Sequence, residues 1–307
     1  MAARFVLALA AAAAIVIGAQ DAPDWQAAAG GKLAFDVASV KPGTGDTSSS
    51  SFPLDATEAY RQAGGYLRDE RSVFEYIKFA YKLSPPAAIE REMLANAPKW
   101  VYTDRYAIEA RAPIPNPTKD QMRLMMQSLL AERFRLSVHF ETKEVPVLAL
   151  TAVKPGKLGP ELIAHADGRP CGDFADPYYT PTPARVFSGE VKAGPDNFPP
   201  FCDSIAIIRK PGGLLLLGYR NATMDMIAGS LSGAVGQGRP VVNRTGLTGR
   251  YDFTLEWRPD SANLEPLDTP APNSAQALRD QLGLKVDATK GPVRILIIDR
   301  IERPSEN

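Results

Sequence analysis

The side chains best suited to catalysis are few in this sequence. Two histidines, His139 and His165, and two cysteines, Cys171 and Cys202, occur among 307 residues. A Ser-His-Asp hydrolase needs a histidine to move the proton, and a zinc site needs three or four ligands at workable spacing. His139 lies in a predicted strand with alternating side chains, and His165 lies in an irregular stretch. No Gly-x-Ser-x-Gly turn is present. The sequence therefore favours neither a serine triad nor a catalytic metal, and we expect no cofactor.

Carboxylate pairs of the kind that glycosidases use stay open as a chemistry for this chain. The sequence holds 35 acidic residues, so accidental pairs are expected. The candidates are Asp69, Glu70, Asp104 and Asp252. A Gly233-x-x-Gly236-x-Gly238 run looks like a phosphate loop, but it follows a predicted helix, whereas the dinucleotide fingerprint precedes one. This run therefore indicates a helix end and a turn.

The N-terminus has the pattern of a secretory signal peptide. Arg4 gives a positive start, an apolar run extends from Phe5 to Ile17, and small residues follow up to Ala19. A run of 13 residues is shorter than the roughly 20 that span a bilayer. We expect residues 1–19 to be removed on export, with an uncleaved anchor as the alternative, and the mature protein to be periplasmic or extracellular without a transmembrane segment.

Export places the two cysteines in an oxidising compartment, where disulfides persist. A bond between Cys171 and Cys202 would close a loop of about 30 residues. It would stabilise the fold by roughly 3–4 kcal/mol, because it lowers the conformational entropy of the unfolded chain. A redox-active pair normally has a closer spacing, such as Cys-x-x-Cys. The spacing therefore favours a structural disulfide, with a redox pair as the alternative.

Composition excludes several classes of protein. Lys and Arg number 35 and equal Asp and Glu, so the formal net charge is zero, and no basic cluster with interleaved aromatic residues is present. Nucleic-acid binding is therefore not expected. Hydrophobic residues make up 45% of the chain, which excludes general disorder. Proline is frequent, at 27 residues, which indicates long irregular connections.

Local periodicity predicts alternating helices and short strands. Capping boxes begin helices at Ser72 and Thr118, Thr223 begins another, and Asn273 or Ser274 opens the last. Methionine and leucine form a stripe along the second of these helices, which predicts a buried face. The predicted strands are 33–42, 106–110, 135–140, 145–153, 241–242, 251–257, 285–289 and 293–301, with a turn at Lys290-Gly291 joining the last two. The fold class expected is α+β.

Three sequence blocks recur in the same order in the two halves of the chain. They begin at Arg105 and Arg250, at Leu130 and Leu278, and at Pro146 and Pro292, with offsets of 145, 148 and 146 residues. This recurrence predicts a tandem repeat of two small helix-on-sheet modules, at 33–154 and 212–304. The irregular, Pro-rich connection at 155–211 carries both cysteines.

The most distinctive phrases of the sequence are Phe35-Asp36-Val37-Ala38-Ser39-Val40-Lys41-Pro42, Leu130-Ala131-Glu132-Arg133-Phe134 and Thr245-Gly246-Leu247-Thr248-Gly249-Arg250-Tyr251-Asp252-Phe253. Over nearly the whole mature chain, these phrases resemble a secreted acidobacterial (Solibacter-type) family of uncharacterised proteins. The resemblance implies no activity and no catalytic residues. The order of helices and strands is more loosely similar to the short N-terminal domain of secretins and TonB-dependent receptors, periplasmic modules that mediate protein contacts; fold-level likeness does not determine function.

Two functions follow as expectations. The first is an exported, non-catalytic protein that binds a protein or cell-envelope component, because small sheets offer edges to a partner strand. The second is a secreted carboxylate-dependent hydrolase with its site between the two repeats, which a pocket with two convergent acids would favour. The sequence favours the first.

Overall fold

The computed structural model describes residues 25–45, 51–58, 64–167, 199, 202–259 and 270–304. The strands in these ranges are β1 Val37–Pro42, β2 Tyr66–Ser72, β3 Arg105–Arg111, β4 Ser137–Ala152, β5 Leu162–Ala164, β6 Ile205–Lys210, β7 Leu214–Thr223, β8 Val241–Asn243, β9 Arg250–Trp257 and β10 Leu284–Arg300. The helices are α1 Trp25–Ala28, α2 Val73–Ala80, α3 Ala87–Leu94, α4 Trp100–Thr103, α5 Lys119–Arg133, α6 Met224–Ala234 and α7 Ser274–Leu282. This mixture confirms the predicted α+β class.

The predicted helix starts are confirmed by their caps. The Thr118 side chain accepts a hydrogen bond from the Gln121 amide while the Gln121 side chain accepts one from the Thr118 amide, which makes a full capping box. Side-chain oxygens of Ser72, Thr223 and Asn273 cap α2, α6 and α7 in the same way, each accepting from the amide three residues later. These bonds satisfy amides that have no partner inside their helix.

The strands form three sheets. The first has the order β1-β3-β2 and the second the order β5-β9-β7-β6, and both are antiparallel throughout. The third has the order β10-β4-β8, in which β8 runs parallel to β4. Two of these strands, β5 and β6, lie inside the stretch 155–211 that we expected to be irregular. A three-residue strand such as β5 is too short to give a periodic signal.

The long strands β4 and β10 correct the predictions of four short strands and of a turn at Lys290-Gly291. Each strand is continuous, and they pair from Ser137 opposite Arg300 to Ala152 opposite Leu284. Gly291 is extended opposite Val145, and a Cβ there would lie 3.2 Å from Val147 Cγ2 and from the Arg244 guanidinium. This glycine therefore provides space for close packing and does not form a turn.

Two hydrophobic cores lie at opposite ends of the β4–β10 ribbon. Leu148 and Leu150, near the end of β4, pack in the core that α6, α7 and the second sheet share. Leu296 and Ile298, near the end of β10, pack in the core of α2, α5 and the first sheet. Each half of the chain therefore contributes a strand to the core of the other half. The predicted methionine stripe of α5 is confirmed, since Met122, Met125 and Met126 are fully buried in the first core.

No helix of the described ranges combines the length and the apolar character that a membrane span requires.

Candidate functional site

Polar side chains converge where the second sheet meets the loop before β6. We call this group the bulge cluster, and its members are His165, Cys202, Asp203, Arg220, Asn221, Arg250 and Asp252. They come from the short 3-10 helix His165–Asp167 after β5, the loop before β6, an irregularity in β7, and β9. Because four segments contribute, only the tertiary structure brings these groups together.

A bulge in β7 aims its side chains into the cluster. The pairing of β7 with β9 shifts register between Tyr219 and Ala222, and Asn221 has the left-handed φ of 57°. Asparagine tolerates this conformation better than most residues. Bulges redirect side chains and are frequent beside functional sites. Asp203, opposite in the loop before β6, also has a positive φ, of 55°.

The centre of the cluster is a histidine held by an aspartate. Nδ1 of His165 lies 2.7 Å from Oδ1 of Asp252, and the backbone amide of Asn221 donates to the same oxygen over 2.8 Å. A carboxylate only accepts hydrogen bonds, so Nδ1 carries the proton and Nε2 is left facing Sγ of Cys202 at 3.9 Å. The buried Arg220 guanidinium adds a positive charge 3.7 Å from Oδ2 of Asp252.

The outer part of the cluster is an exposed set of charge-assisted hydrogen bonds. The Arg250 guanidinium donates to Asn221 Oδ1 over 2.7 Å and to Asp203 Oδ1 over 2.8 Å. The Asn221 amide nitrogen donates to the same Asp203 oxygen over 2.9 Å. These bonds hold the bulge and the loop before β6 in one arrangement, and they fix the surroundings of the His165–Asp252 pair.

A second polar group, the charged network, lies between α5 and the segment 51–58. Its members are Asp55, Glu58, Lys82, Lys119, Asp120 and Arg123. Lys119 is 2% exposed and its Nζ donates to Asp55 Oδ1 over 2.9 Å. Burial disfavours the ammonium form and lowers the pKa of Lys119 to about 8, although the charge of Asp55 opposes this shift.

The most buried member of the charged network is Arg123, which is inaccessible to solvent. Its guanidinium donates to the backbone oxygens of Thr57 over 2.8 Å and Asp55 over 3.2 Å, and it contacts the Asp120 carboxylate. Arginine can make several such bonds from one planar group. Arg123 therefore ties the segment 51–58 to α5 and places Asp55 and Glu58 at the surface of the first half.

Tyr219 of β7 is affected by charges of both polar groups. It is 3% exposed, and its burial, together with the negative charges of Asp55, Asp203 and Glu58, raises its pKa well above the ordinary value. Asp55 and Glu58 belong to the charged network of the first half, whereas Tyr219 and Asp203 belong to the second. Charges from both polar groups therefore act on the Tyr219 hydroxyl.

The residues singled out in the sequence have different surroundings. His139 is on β4 as predicted, where its exposed ring lies 2.7 Å from Asp299 Oδ1, and hydrogen bonds to Glu141 and Asp299 raise its pKa. Cys202 is buried in the bulge cluster, and no free cysteine occurs among the described residues. Cys171 lies outside the described residues, so the bond between Cys171 and Cys202 stays a prediction.

Of the four candidate carboxylates, only Asp252 belongs to the bulge cluster. Glu70 is held by the backbone amides of Thr44 and Gly45, and these bonds outweigh the effect of burial and lower its pKa. Asp104 forms an ion pair with Arg303 over 2.7 Å. Asp69 is 3% exposed and accepts from the amide of Glu70. Each of these three acids therefore has a local partner outside the bulge cluster.

The charged network was not predicted, although the sequence contains a signal for it. Lys119 and Arg123 precede Met126 and Leu130 at helical spacing, so they continue the apolar stripe of α5 into its first turns. A charged residue on a buried face requires a partner. Within the described part of the chain, no group of three or more His, Cys, Asp or Glu side chains could hold a metal ion.

Comparison with known proteins gives one match. Residues 75–301 match the family described as "Protein of unknown function (DUF3738)". The matched stretch includes α5 and the whole bulge cluster. No curated protein and no solved structure matches the chain.

Proposed function

The chain belongs to the DUF3738 family, whose function is unknown, and we propose that this member is an exported protein that binds a protein or cell-envelope component. The observation that carries the proposal is the strand β6, which within the described residues pairs on one side only. In this proposal the protein acts in the periplasm or outside the cell. The apolar run that begins at Phe5, behind the positive charge of Arg4, supports export.

The proposal includes a duplicated architecture, stabilised by a disulfide between Cys171 and Cys202. Two features support the duplication. The strand orders β1-β3-β2 and β5-β9-β7 correspond, with β3 and β9 in the middle. The strands β2 and β7 each end at the residue that caps the next helix, α2 or α6. Val145 and Gly291, which are 146 residues apart, pair near the middle of the ribbon, so a local two-fold axis there relates Pro146 to Pro292.

The edge of the second sheet has the features of a strand-addition site. Within the described residues, β6 pairs with β7 on one side only. Ile207 and Ile208 are half-buried, whereas Arg209 and Lys210 are exposed at the end of the strand. An extended segment of a partner protein can add its backbone hydrogen bonds to such an edge. Lys210 already pairs with Glu256, so Arg209 is the residue that favours a segment with an acidic residue at that end.

The β1 edge of the first sheet is less suited to this role. Strand β1 ends in Lys41 and Pro42, and lysine and proline are residues that natural proteins place on edges to block pairing. No proline interrupts β6. We therefore prefer β6 to β1 as the strand that binds the partner.

Site-specific photo-crosslinking in producing cells tests this assignment. A photoreactive amino acid at Arg209 should give an adduct with one defined partner, while the same group at Glu109, exposed on the central strand β3, should give none. The variant Ile207→Pro should remove the adduct while circular dichroism and the melting temperature show a folded protein. Equal adducts from both positions, or none from either, would overturn the proposal.

The hydrolase with a site between the halves is the second candidate, and one observation favours it. Besides burial, the negative charges of Asp55 and Glu58 in the first half contribute to the raised pKa of Tyr219 in the second half. Turnover of an ester or glycan panel by the purified protein would support this candidate. That turnover should then be lost in Asp55→Asn and Glu58→Gln but kept in the control Glu109→Gln.

A further inference from the structure

We propose that the cavity between α1 and α5 binds a monosaccharide that carries a carboxylate, such as a uronic acid. This goes beyond the proposed function, because it gives the first half of the chain a small-molecule ligand of its own. It does not depend on partner binding at β6, so either proposal can fail without the other.

The cavity has the size of a small-ligand site. Its volume is about 340 Å³, and its lining includes Gln26 and Ala27 of α1 and Leu124, Gln127 and Ser128 of α5. Small-molecule sites in proteins start at about 300 Å³. A cavity near this lower limit suits a ligand of one ring, not a polymer.

The floor of the cavity is apolar. Leu124 is 4% exposed, yet among the described residues it is part of neither hydrophobic core. Ala27 adds a second apolar contact from α1. An apolar surface gains free energy by covering the C–H face of a sugar ring, and it gains little from a small inorganic ion such as phosphate.

Two side chains of α5 offer hydrogen-bond acceptors. The Gln127 side-chain amide donates to the backbone oxygen of Ala80 over 2.8 Å, which identifies Nε2 and leaves Oε1 without a donor among the described residues. The Ser128 hydroxyl donates to the backbone oxygen of Leu33, so its oxygen can only accept further hydrogen bonds. Acceptors need a ligand with donors, and the hydroxyls of a sugar supply them.

The charge of the cavity lining is positive. Lys32 belongs to the lining, is exposed, and has no ion-pair partner within the described part of the chain. None of the described residues that line the cavity is acidic. An amine ligand would therefore meet a like charge with nothing to balance it, whereas a carboxylate would pair with the Lys32 ammonium. Hydroxyls, one carboxylate and an apolar ring face together describe a sugar acid.

The walls of the cavity are tied to the fold on both sides. The Lys82 ammonium lies 5.6 Å from the ring centre of Trp25, at the start of α1. After α1 the chain turns at Gly31, whose φ of 73° is a conformation that glycine adopts without strain. The bond from Ser128 to Leu33 then joins the segment after this turn to α5. A site that is already formed loses less entropy when its ligand binds.

The experiment is an amide NMR titration of the full mature protein, with D-galacturonate as the probe and D-galactose as its neutral counterpart. The backbone amides of Gly31 and Gln127 should shift. Galacturonate should bind roughly tenfold more tightly than galactose, because only the acid forms a charged hydrogen bond with Lys32. Lys32→Gln should make the two affinities equal. Lys290→Gln removes an exposed positive charge from β10 and should leave the preference unchanged.

A second pair of variants tests the location. Ala27→Trp places an indole in the cavity lining and should abolish binding. Ala28→Trp changes the next residue of α1, which is exposed and is not part of the lining, and should leave binding unchanged. Circular dichroism and the melting temperature show whether each variant is folded.

Four results would overturn the inference. They are no shift of the lining amides with galacturonate, equal affinity of the wild type for galacturonate and galactose, an unchanged preference in Lys32→Gln, and binding that survives Ala27→Trp. Inorganic phosphate, added alone, should not shift the same amides, and a phosphate response stronger than that to galacturonate would also overturn it. If Ala27→Trp fails to fold, the comparison of Lys32→Gln with Lys290→Gln still decides.

Discussion

Nζ of Lys119 lies 2.9 Å from Oδ1 of Asp55, at a position where the lysine is 2% exposed. The pair connects α5 to the segment 51–58, which carries Asp55 and Glu58. A buried ammonium beside one carboxylate is costly, because desolvation is only partly offset by the attraction. Since burial lowers the pKa of Lys119 to about 8, this cost should depend on pH within an accessible range.

The first prediction concerns that dependence. Between about pH 8 and the ordinary lysine pKa of 10.5, the unfolded chain binds a proton that the folded protein has released, so stability rises with pH. Below pH 8 both states are protonated and the cost of the buried charge is fully present. From pH 7.5 to 10, the wild type should gain on the order of 2–3 kcal/mol relative to Lys119→Met. Urea unfolding across this range measures the difference.

The control for this prediction is Lys78→Met. Burial alone would lower the pKa of Lys78, but its bonds to Glu75 and Glu90 raise it above the ordinary value. The contribution of Lys78 to stability is therefore retained through the same pH range. The free energy of unfolding of Lys78→Met should rise with pH as much as that of the wild type. If the free energies of unfolding of the wild type and Lys119→Met instead change equally with pH, Lys119 keeps its proton throughout this range.

The second prediction concerns Tyr76, which is fully buried under the first sheet. Its hydroxyl lies 2.8 Å from the backbone oxygen of Asp69 and 2.9 Å from that of Tyr106, and it accepts from the Arg71 amide. Removing the hydroxyl leaves buried polar groups without a partner, so Tyr76→Phe should cost about 1–3 kcal/mol in denaturant unfolding.

Tyr102→Phe is the matched control, since that ring is 44% exposed and should tolerate the change within about 0.5 kcal/mol. Equal stability of the two variants would mean that the Tyr76 hydroxyl does not hold β2 and β3 in the folded protein.

The third prediction compares two glycines. A Cβ on Gly159 would lie 2.3 Å from the backbone oxygen of Gln281, because this glycine packs directly against the end of α7. The backbone would have to move, so Gly159→Ala should destabilise the fold by about 1–3 kcal/mol. Gly229, exposed on α6, has open space around its Cα, and Gly229→Ala should stabilise by up to about 1 kcal/mol. Thermal melts of both variants give the sign of each change in melting temperature. Changes of the same sign would contradict the packing described.

The fourth prediction concerns the two cores. Because the ends of β4 and β10 exchange between them, neither core can unfold without removing strands from the other. Leu296→Ala in the first core and Leu150→Ala in the second should each cost about 2–5 kcal/mol and should still give one transition. Hydrogen exchange in increasing denaturant, followed on peptides from α2 and α7, checks this. Separate midpoints for the two peptides would show independent units.

Local patterns predicted the helices that carry their own signals. Capping residues and apolar spacing located α2, α5, α6 and α7, because a cap and a buried stripe are determined by residues within a few turns. The short helices α3 and α4 lack a side-chain cap and were not predicted. The caps of α2 and α6, Ser72 and Thr223, are the last residues of strands, so the α+β class could also be predicted.

The candidate site was only partly predictable. His165 and Cys202 lie in a stretch without periodicity, and Asp252 was one of four candidates among 35 acidic residues. The bulge that joins them depends on a register shift between β7 and β9, which no single strand encodes. For Lys119 and Arg123 the signal was present, as charges on a buried stripe, but their partners Asp55 and Glu58 lie about 60 residues away.

The sequence alone determined that α2, α5, α6 and α7 are helices and that the methionine face of α5 is buried, because these properties depend on neighbours a few residues apart. It also set the α+β class and the expectation of export. The tertiary structure decided that β4 and β10 are continuous. Each crosses from one core to the other, and only pairing between segments about 146 residues apart can keep Lys290 and Gly291 extended. It likewise decided which of many polar residues meet, since hydrogen bonds and charges act over a few ångströms whatever the separation along the chain.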